Sequence, residues 1–388
     1  MHLKDLKEAL ENKEFAYYYQ PKVSMITGKL CGAEALLRWQ KPDGRIIPPS
    51  EFIPLAESSG FINEITLVMF QQLIIDMSII HDVVDTLVIS FNASAKDFRN
   101  NRLTEAIRHA ITNKLLTSDT LEVELTETAI LDSDEEVKHQ INLLHEMGIG
   151  LAMDDFGTGY SSIDTLSKWP FSSIKIDQGV IGRMGHSEKD FIIVQSSISM
   201  AHELGLDIVA EGIETEDCYQ HLLGSGCTKG QGYWISRPVP LDEFIDFTKL
   251  GKNWSGELIG LAYQAQLDHI KWRKALIDGL YYISSRKGGN TQLRGTPELD
   301  PRKCSLGKWF YSLGETFTKE EWYGQLEESH TLLHHTGANL LESAGRGRPK
   351  KELIQQMRKL TEQSIRVIGI LQEIENRSVE NSRTTDPE

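Results

Sequence analysis

The stretch Met153-Asp-Asp-Phe-Gly-Thr-Gly-Tyr-Ser-Ser-Ile163 decides the fold class of this 388-residue chain. It follows Gly150-Leu151-Ala152, a short run typical of the end of a buried strand. Neighbouring strand residues point to opposite faces, so Asp154 and Asp155 suit a strand end where the chain turns. Carboxylates in such a place are typical ligands of magnesium or manganese, although a solvated turn explains this stretch equally well.

Outward from this stretch, short apolar runs alternate with helical patterns up to about residue 250. Amphipathic spacing predicts helices over Glu135–Met147, Glu188–Leu204 and Thr215–Leu223. Eight strands that alternate with helices predict an α/β fold, a TIM-like (β/α)8 barrel, with an open doubly wound sheet as the alternative. The predicted strands are Ala16–Val23, Cys31–Leu37, Thr86–Asn92, Leu121–Thr126, Gly150–Asp154, Ser173–Ile176, Asp207–Ala210 and one near Gly230–Ile235.

Polar side chains stand near the ends of most of these strands. Any one of them alone is more often a solvated surface group or a helix cap. In a barrel, however, the carboxyl ends of the strands converge on one face, so the set predicts a shared active site. Its members are Glu34, Asn92, Glu124, Glu127, Asp154, Asp155, Lys175, Asp177, Glu211, Glu214 and Gln231.

Composition limits the setting and the partners. No apolar run approaches the roughly 18 residues of a membrane helix, and the N-terminus has no apolar signal region. The scattered cysteines Cys31, Cys218, Cys227 and Cys304 fit a reducing compartment, so we expect a cytoplasmic protein without membrane insertion. The first 255 residues hold 22 basic against 38 acidic residues. This charge disfavours DNA binding, so metal ions would mediate contact with a phosphate.

Seven separated motifs occur in order over about residues 1–250: EALLRW, FNAS, ELTE, DDFGTGYSS, KID, AEGIET and QGY. This set resembles the EAL domain family of cyclic-di-GMP phosphodiesterases. The resemblance implies hydrolysis of cyclic-di-GMP to linear pGpG with two magnesium or manganese ions, on a barrel whose first strand is antiparallel. One departure is Gln178-Gly179-Val180, where the family often has an arginine and an aromatic residue.

The same resemblance implies a role for each matching position. Lys175 matches the lysine that positions the attacking water, and it is counted as catalytic together with Glu211 and Glu34. Glu127 matches the glutamate that anchors the loop after Asp155, which the family links to dimerisation. The implied metal ligands are Glu34, Asn92, Glu124, Asp154, Asp155 and Glu211, and the implied substrate contacts are Gln20, Arg38 and Gln231. Two divalent ions can activate water and neutralise phosphoryl oxygens, which agrees with this set.

After a linker at Leu250–Gly256, the strand pattern gives way to helical periodicity. An all-α bundle is predicted over residues 257–375, after an enzymatic barrel over 1–250 and before a disordered tail over 376–388. The predicted helices are Leu258–Ser284, a short one near Leu306–Leu313, Lys319–Leu341 and Lys351–Ile374. An apolar line along the last of them, interrupted at Ser364, predicts packing inside the bundle or a seam of a homodimer.

His330 and His334 lie four residues apart, so both can reach one ion, although a plain surface helix is the commoner explanation. Cys304 and His269 could complete a tetrahedral site that suits zinc. Their surroundings, HIKW at His269, CSLGKW at Cys304 and HTLLH at His330, resemble the chemoreceptor zinc-binding (CZB) domain. The resemblance implies one zinc ion and a sensory role, for zinc or for oxidants that attack Cys304.

Three functions are therefore open. The first is a cyclic-di-GMP phosphodiesterase whose zinc-binding domain adjusts activity within a dimer. The second is a non-catalytic sensor that binds cyclic-di-GMP and zinc and signals through a protein partner, since some family members have lost catalysis. The third keeps the enzyme and makes the zinc purely structural.

Overall fold

The computed structural model describes residues 1–126, 130, 134–157, 163–185, 187–254, 259–285, 297–312 and 318–384. The chain divides into two compact units, one of Met1–Leu222 with Cys227–Gly256 and one of Glu257–Glu388 with Leu223–Gly226. All nine strands of the described residues lie in the first unit, and the second unit is helical.

The strands of the first unit close into a barrel. Strand β1 pairs antiparallel with both β2 and β9, while the steps from β2 through β4 to β9 are parallel. The short β3 extends β2 as a hairpin. The strands are β1 Phe15–Ser24, β2 Leu30–Gln40, β3 Ile46–Ile47, β4 Val88–Asn92, β5 Leu121–Thr126, β6 Gly150–Phe156, β7 Ser173–Ile176, β8 Asp207–Ala210 and β9 Lys229–Gly230. The predicted barrel is confirmed, and closure through β1 rules out the open sheet.

Helices follow the parallel strands and cover the barrel. Phe91 on β4 packs against Phe70 of the third helix, with ring centroids 5.7 Å apart. Tyr19 on β1 donates a 2.6 Å hydrogen bond to Asp76 of the same helix. The helices of this unit are α1 Leu3–Glu11, α2 Pro49–Ser58, α3 Ile62–His81, α4 Arg102–Thr112, α5 Glu135–Glu146, α6 Ile163–Lys168, α7 Gln178–Arg183, α8 Glu188–Leu204, α9 Glu216–Gly224 and α10 Leu241–Lys249.

The last strand is shorter than the predicted Gly230–Ile235, because the chain turns after Gly230. The amide of Ile213 donates to the Gln231 carbonyl, and Trp234 donates to the Ile213 carbonyl. A Cβ atom at Gly232 would lie 2.2 Å from the Ile213 backbone, so only glycine allows this approach. The turn brings Gln231 to the end of the barrel instead of into a longer strand.

Helix α3 corrects the expectation that no apolar run approaches membrane-helix length. The helix has 20 residues, and its most apolar stretch has a mean hydropathy of 1.2. By length and composition alone it could span a membrane, although half of that stretch is buried inside the protein. Polar residues such as Gln71, Gln72 and Asp76 interrupt the helix, so a count of consecutive apolar positions does not detect it. Ile65, Phe70 and Leu73 on this helix are fully buried.

The second unit is the predicted helical bundle. Three long helices pack against one another, and a short helix packs on the first of them. The helices are α11 Ile259–Ser285, α12 Ser305–Ser312, α13 Glu321–Gly345 and α14 Lys350–Thr384. Helices α11 and α13 approach closely where a Cβ atom at Gly337 would lie 2.8 Å from the Trp272 ring.

Helix α14 departs from the sequence expectation at its end. It continues to Thr384, whereas the sequence predicted a disordered tail from residue 376. Its apolar line lies inside the bundle, where Leu360, Val367 and Leu371 are fully buried. These residues therefore pack within their own chain.

Candidate active site and zinc site

The strand ends of the barrel place seven predicted polar residues around one point. Parallel neighbours bring Glu34 of β2, Asn92 of β4 and Glu124 of β5 to the same end of the sheet. The others come from the next strands along the ring and the turns after them: Asp154, Lys175, Glu211 and Gln231. Side chains on alternate residues share a strand face, which directs this set to the barrel interior.

The ammonium group of Lys175 is the centre of the cluster. Its Nζ lies 3.2 Å from Glu34 Oε2, 3.1 Å from Asp154 Oδ1 and 2.7 Å from Glu211 Oε1, and it also contacts Glu124. Lys175 is fully buried, so its charge depends on these four carboxylates. One cation thus holds together residues from five different strands or strand ends.

Two amides join the carboxylates. Asn92 donates from Nδ2 to Glu34 Oε1 at 2.7 Å. Gln231 donates from Nε2 to Glu34 Oε2 at 2.7 Å and to Glu211 Oε1 at 3.2 Å. The Oε1 atom of Gln231 is buried and accepts no hydrogen bond from the described part of the chain. A buried acceptor of this kind suits a water molecule or a metal-bound water.

Burial and mutual repulsion set the protonation of the carboxyls. Burial raises the pKa of Glu211 to about 8 and raises the pKa of Glu34 and of Asp154. Glu124 differs, because two lysines overcome the effect of burial and hold its pKa far below the usual range. Burial disfavours charge on Lys175 as well, yet the carboxylates raise the pKa of its ammonium well above its ordinary value.

Asp154 and Asp155 lie within β6, which continues to Phe156 instead of ending in a turn at Asp154 as the sequence predicted. The pairing of β6 with β7 shifts register between Met153 and Phe156, as in a β-bulge. Asp155 has a φ of 58°, in the left-handed region, where aspartate is tolerated better than most residues. Asp154 therefore faces Lys175 while Asp155 is exposed at the barrel end.

The predicted substrate contacts flank Glu34. Gln20 on β1 lies directly opposite Glu34 in the register and donates to the Ser236 carbonyl at 3.2 Å. Arg38 lies four residues beyond Glu34 on β2, half-buried, and donates to the Leu37 carbonyl. Glu127, the predicted loop anchor, lies outside the described residues.

The site suits hard divalent cations. Its donors are carboxylate and amide oxygens, which match magnesium or manganese. Lys175 lies where four of the predicted metal ligands converge, so the chain itself supplies a cation at that position. The residues thus fit a site that holds positive charge.

A second charged layer below the site was not found from the sequence. Lys22 on β1 is buried, and its Nζ lies 2.7 Å from Ser90 Oγ, 2.8 Å from Glu124 Oε1 and 3.7 Å from Glu122 Oε2. Glu122 in turn accepts a 2.5 Å hydrogen bond from Ser173. The sequence could have predicted that Lys22 faces the barrel interior, because it lies two residues from Gln20 and therefore on the same strand face.

Replacing Lys22 by methionine is expected to lower the free energy of unfolding by about 3–5 kcal/mol, because it removes one partner of a buried ion pair. Thermal or urea unfolding would measure this loss. The double variant Lys22→Met/Glu122→Gln is the control and should recover part of the stability, since it also removes a buried carboxylate. Equal stability of Lys22→Met and the native chain would contradict the proposed charge balance.

The pKa of Glu211 predicts how the metal-free protein responds to pH. The folded value of about 8 lies above the ordinary 4.5, so the folded state retains a proton that the unfolded chain releases. The Glu211 contribution is complete below about pH 4.5 and is lost as the pH rises through about 8. We expect the unfolding midpoint in chelator to fall over that range.

The variant Glu211→Gln should show a flatter pH profile in the same thermal scans. The matched control is Glu11→Gln, which changes an exposed glutamate of α1 and should keep the native profile. Identical profiles for the native chain and Glu211→Gln would contradict a raised pKa at Glu211.

The helical unit contains a separate cluster with softer ligands. The candidate ligand atoms of Cys304, His330 and His334 all lie within 4.8 Å of one another, and all three residues are buried. Cys304 Sγ lies 3.2 Å from His330 Nε2. A thiolate with imidazoles is a zinc-type donor set. The structure thus brings together three of the four residues that the sequence predicted as zinc ligands.

Local geometry fixes the position of the thiol. Cys304 precedes α12, and its Sγ accepts a hydrogen bond from the Gly307 amide at 3.2 Å. Gly307 lies in the first turn of α12, and a Cβ atom there would lie 1.8 Å from the Pro301 carbonyl oxygen, so only glycine allows this close approach. The glycine three residues after the cysteine therefore contributes to the geometry of the site.

His269, the fourth predicted ligand, lies beside this cluster but outside the group of three. It is buried, and its Nε2 lies 2.8 Å from Ser364 Oγ. Burial, together with repulsion from His334, lowers the pKa of His269 to about 4, and burial lowers the pKa of His330 to about 3. Both imidazoles are therefore neutral at pH 7 and able to bind a metal ion.

Two family models match the chain, over separate stretches of it. A model described as the EAL domain matches residues 3–238, and one described as the chemoreceptor zinc-binding domain matches residues 269–341. The chain is 33% identical over 243 residues to the cyclic di-GMP phosphodiesterase RocR of Pseudomonas aeruginosa, covering 63% of this chain and 62% of RocR.

A second relative is the bifunctional diguanylate cyclase/cyclic di-GMP phosphodiesterase MucR of the same organism. It is 38% identical over 245 residues, which cover 63% of this chain and 36% of MucR. The solved PaMucR phosphodiesterase in complex with c-di-GMP superimposes with a TM-score of 0.59 at 36% identity, covering 62% of this chain and 98% of that one. The chain spans less than two thirds of the length of these two curated relatives.

Proposed function

We propose, because the chain belongs to the EAL domain family, that it hydrolyses cyclic-di-GMP to linear pGpG with two magnesium or manganese ions. The observation that carries this proposal is the convergence of four carboxylates on the buried Lys175. An oxygen-rich cluster that already holds one cation is suited to hold divalent ions and, through them, an anionic phosphodiester.

The ions would be held by Glu34, Asn92, Glu124, Asp154, Asp155 and Glu211. When bound, divalent ions lower the pKa of water and neutralise charge on phosphoryl oxygens. Lys175 would orient the attacking water and offset negative charge beside the phosphorus. Glu211, whose pKa lies near 8, is able to exchange a proton near neutral pH, as a general base requires.

Three further side chains would bind the reacting molecules. Gln231 offers its buried Oε1 as an acceptor for a water proton, because its Nε2 is already committed to Glu34 and Glu211. Arg38 and Gln20, on the antiparallel strand pair beside Glu34, would contact the dinucleotide. Arginine suits this role because its planar fork matches phosphate oxygens.

The proposal extends to the helical unit and to the setting. One zinc ion would be bound by His269, Cys304, His330 and His334, and zinc or oxidation of Cys304 would regulate hydrolysis. The protein would act as a cytoplasmic homodimer in which the loop after Asp155, anchored by Glu127, contributes to dimerisation.

Turnover of cyclic-di-GMP by the purified chain in excess magnesium tests the enzyme. We expect pGpG to accumulate. Glu34→Gln should lower the rate at least about a hundredfold by removing the charge of a metal ligand, since loss of an outer contact alone costs about 10–100-fold. The control Glu11→Gln should retain the native rate. Native turnover in Glu34→Gln would overturn the assigned site, and nucleotide binding without turnover in the native chain would support the non-catalytic sensor.

The same assay, with zinc removed and then restored, separates two roles of the metal. A change in rate would support regulation by the helical unit. Equal rates from a folded protein would make the zinc structural.

Zinc binding is expected to release about one proton at pH 7. Burial raises the pKa of the Cys304 thiol to about 11, so the metal must displace its proton, while the neutral histidines release none. Calorimetry in two buffers of different ionisation enthalpy would measure the release. Cys304→Ala should weaken zinc binding and abolish the release, whereas the control Cys218→Ala, in the barrel, should change neither.

A further inference from the structure

Ser364 is the polar residue that interrupts the apolar line of α14. Its neighbours along this line, Leu360, Val367 and Leu371, are buried against the other helices of the bundle. Ser364 is itself fully buried. Burying a hydroxyl costs free energy unless it is hydrogen-bonded, so the hydrogen-bond partner of Ser364 indicates the role of this residue.

The partner is His269. The 2.8 Å contact joins Ser364 Oγ on α14 to His269 Nε2 on α11, and both side chains are shielded from water. A neutral imidazole has one N–H donor and one free lone pair, and the partner of one nitrogen decides which atom remains available for a metal ion. If Nε2 donates to Ser364, the lone pair lies on Nδ1.

His334 is held in a similar way within the cluster. Its Nδ1 lies 3.1 Å from the Leu299 carbonyl, which can only accept a hydrogen bond. The proton therefore lies on Nδ1, and Nε2 keeps the lone pair. A histidine that binds metal through one nitrogen usually donates a hydrogen bond from the other, and this outer contact orients the ring.

We propose that Ser364 is a positioning residue of the zinc site: it accepts a hydrogen bond from His269 Nε2 and so presents Nδ1 as the fourth metal ligand. Cys304, His330 and His334 already form three corners of a site, and tetrahedral zinc requires a fourth. This inference rests on the proposed zinc binding and adds a residue to it.

The contact also connects the metal site to α14. The polar contacts described between α11 and α14 include Gln266 to Glu375 at 3.0 Å, His269 to Ser364 at 2.8 Å, and Arg273 to Thr361 at 3.1 Å. Of these three contacts, the one between His269 and Ser364 includes a predicted zinc ligand. Occupancy of the site would therefore fix the relative position of these two helices at this point.

The experiment compares zinc affinity in full-length variants by competition with a chromophoric chelator. Ser364→Ala is expected to weaken zinc binding about 10–100-fold, the usual cost of losing an outer contact of a ligand. Ser364→Thr, which keeps the hydroxyl, should bind more tightly than Ser364→Ala. Co²⁺ in place of zinc supplies a second readout, because its visible spectrum reports tetrahedral coordination, which Ser364→Ala should disturb.

Ser329→Ala is the matched control. Ser329 is also buried and precedes His330, but its hydroxyl makes no hydrogen bond to the described residues. The same chemical change there should leave zinc affinity and the Co²⁺ spectrum unchanged. Thermal unfolding of the zinc-free variants would show whether each one folds.

Different results would contradict the role of Ser364 and the zinc site itself. Unchanged or tighter zinc binding in Ser364→Ala would overturn the positioning role while leaving the zinc site intact. An equal loss in Ser329→Ala would also overturn it, because the effect would then follow from any change in the bundle core. Failure of the native chain to bind zinc would overturn both the proposed site and the role of Ser364.

Discussion

The buried ammonium of Lys175 is the constraint on which the barrel depends. Most barrels of this type fill the interior with layers of apolar side chains. Here the interior holds carboxylates from neighbouring strands, and four of them contact Lys175. Lys22 stabilises the layer beneath. Because unpaired buried charge is strongly destabilising, these two lysines and their partners must be retained together.

Because charged side chains fill the barrel interior, hydrophobic burial must stabilise the barrel at another surface. The apolar strand faces point outward against the helices, where Ile89, Phe91, Val123 and Leu125 are fully buried. The division follows from the two-residue period of a strand, which sends one set of side chains to the ions and the other to the core. A site can therefore carry net negative charge without loss of the surrounding hydrophobic core. That negative charge in turn provides the affinity for cations.

Much of this arrangement could be predicted from the sequence, because it depends on features that sequence shows directly. Polar residues at successive strand ends predicted the cluster. The pair Asp154-Asp155 predicted a turn, but the structure continues β6 through both residues, with a register shift and a left-handed φ at Asp155. The role of Lys22 was not predicted, because the sequence prediction considered only polar residues at strand ends and Lys22 lies one layer lower in the barrel. The length of the last strand depends on the approach of Gly232 to Ile213, two residues that are not adjacent in sequence.

The two units differ in the hardness of the ligand atoms that they present. The barrel presents oxygen donors, which suit hard ions, while the bundle presents a thiol and imidazoles, which suit zinc. The spacing of His330 and His334 on one helix face was visible in the sequence, but the outer contacts were not. Ser364 looked like a defect in an apolar line, and only the packing of α14 against α11 reveals its contact with His269. A polar break in a core helix is therefore best interpreted together with the residue that it faces, because most buried polar side chains form a hydrogen bond.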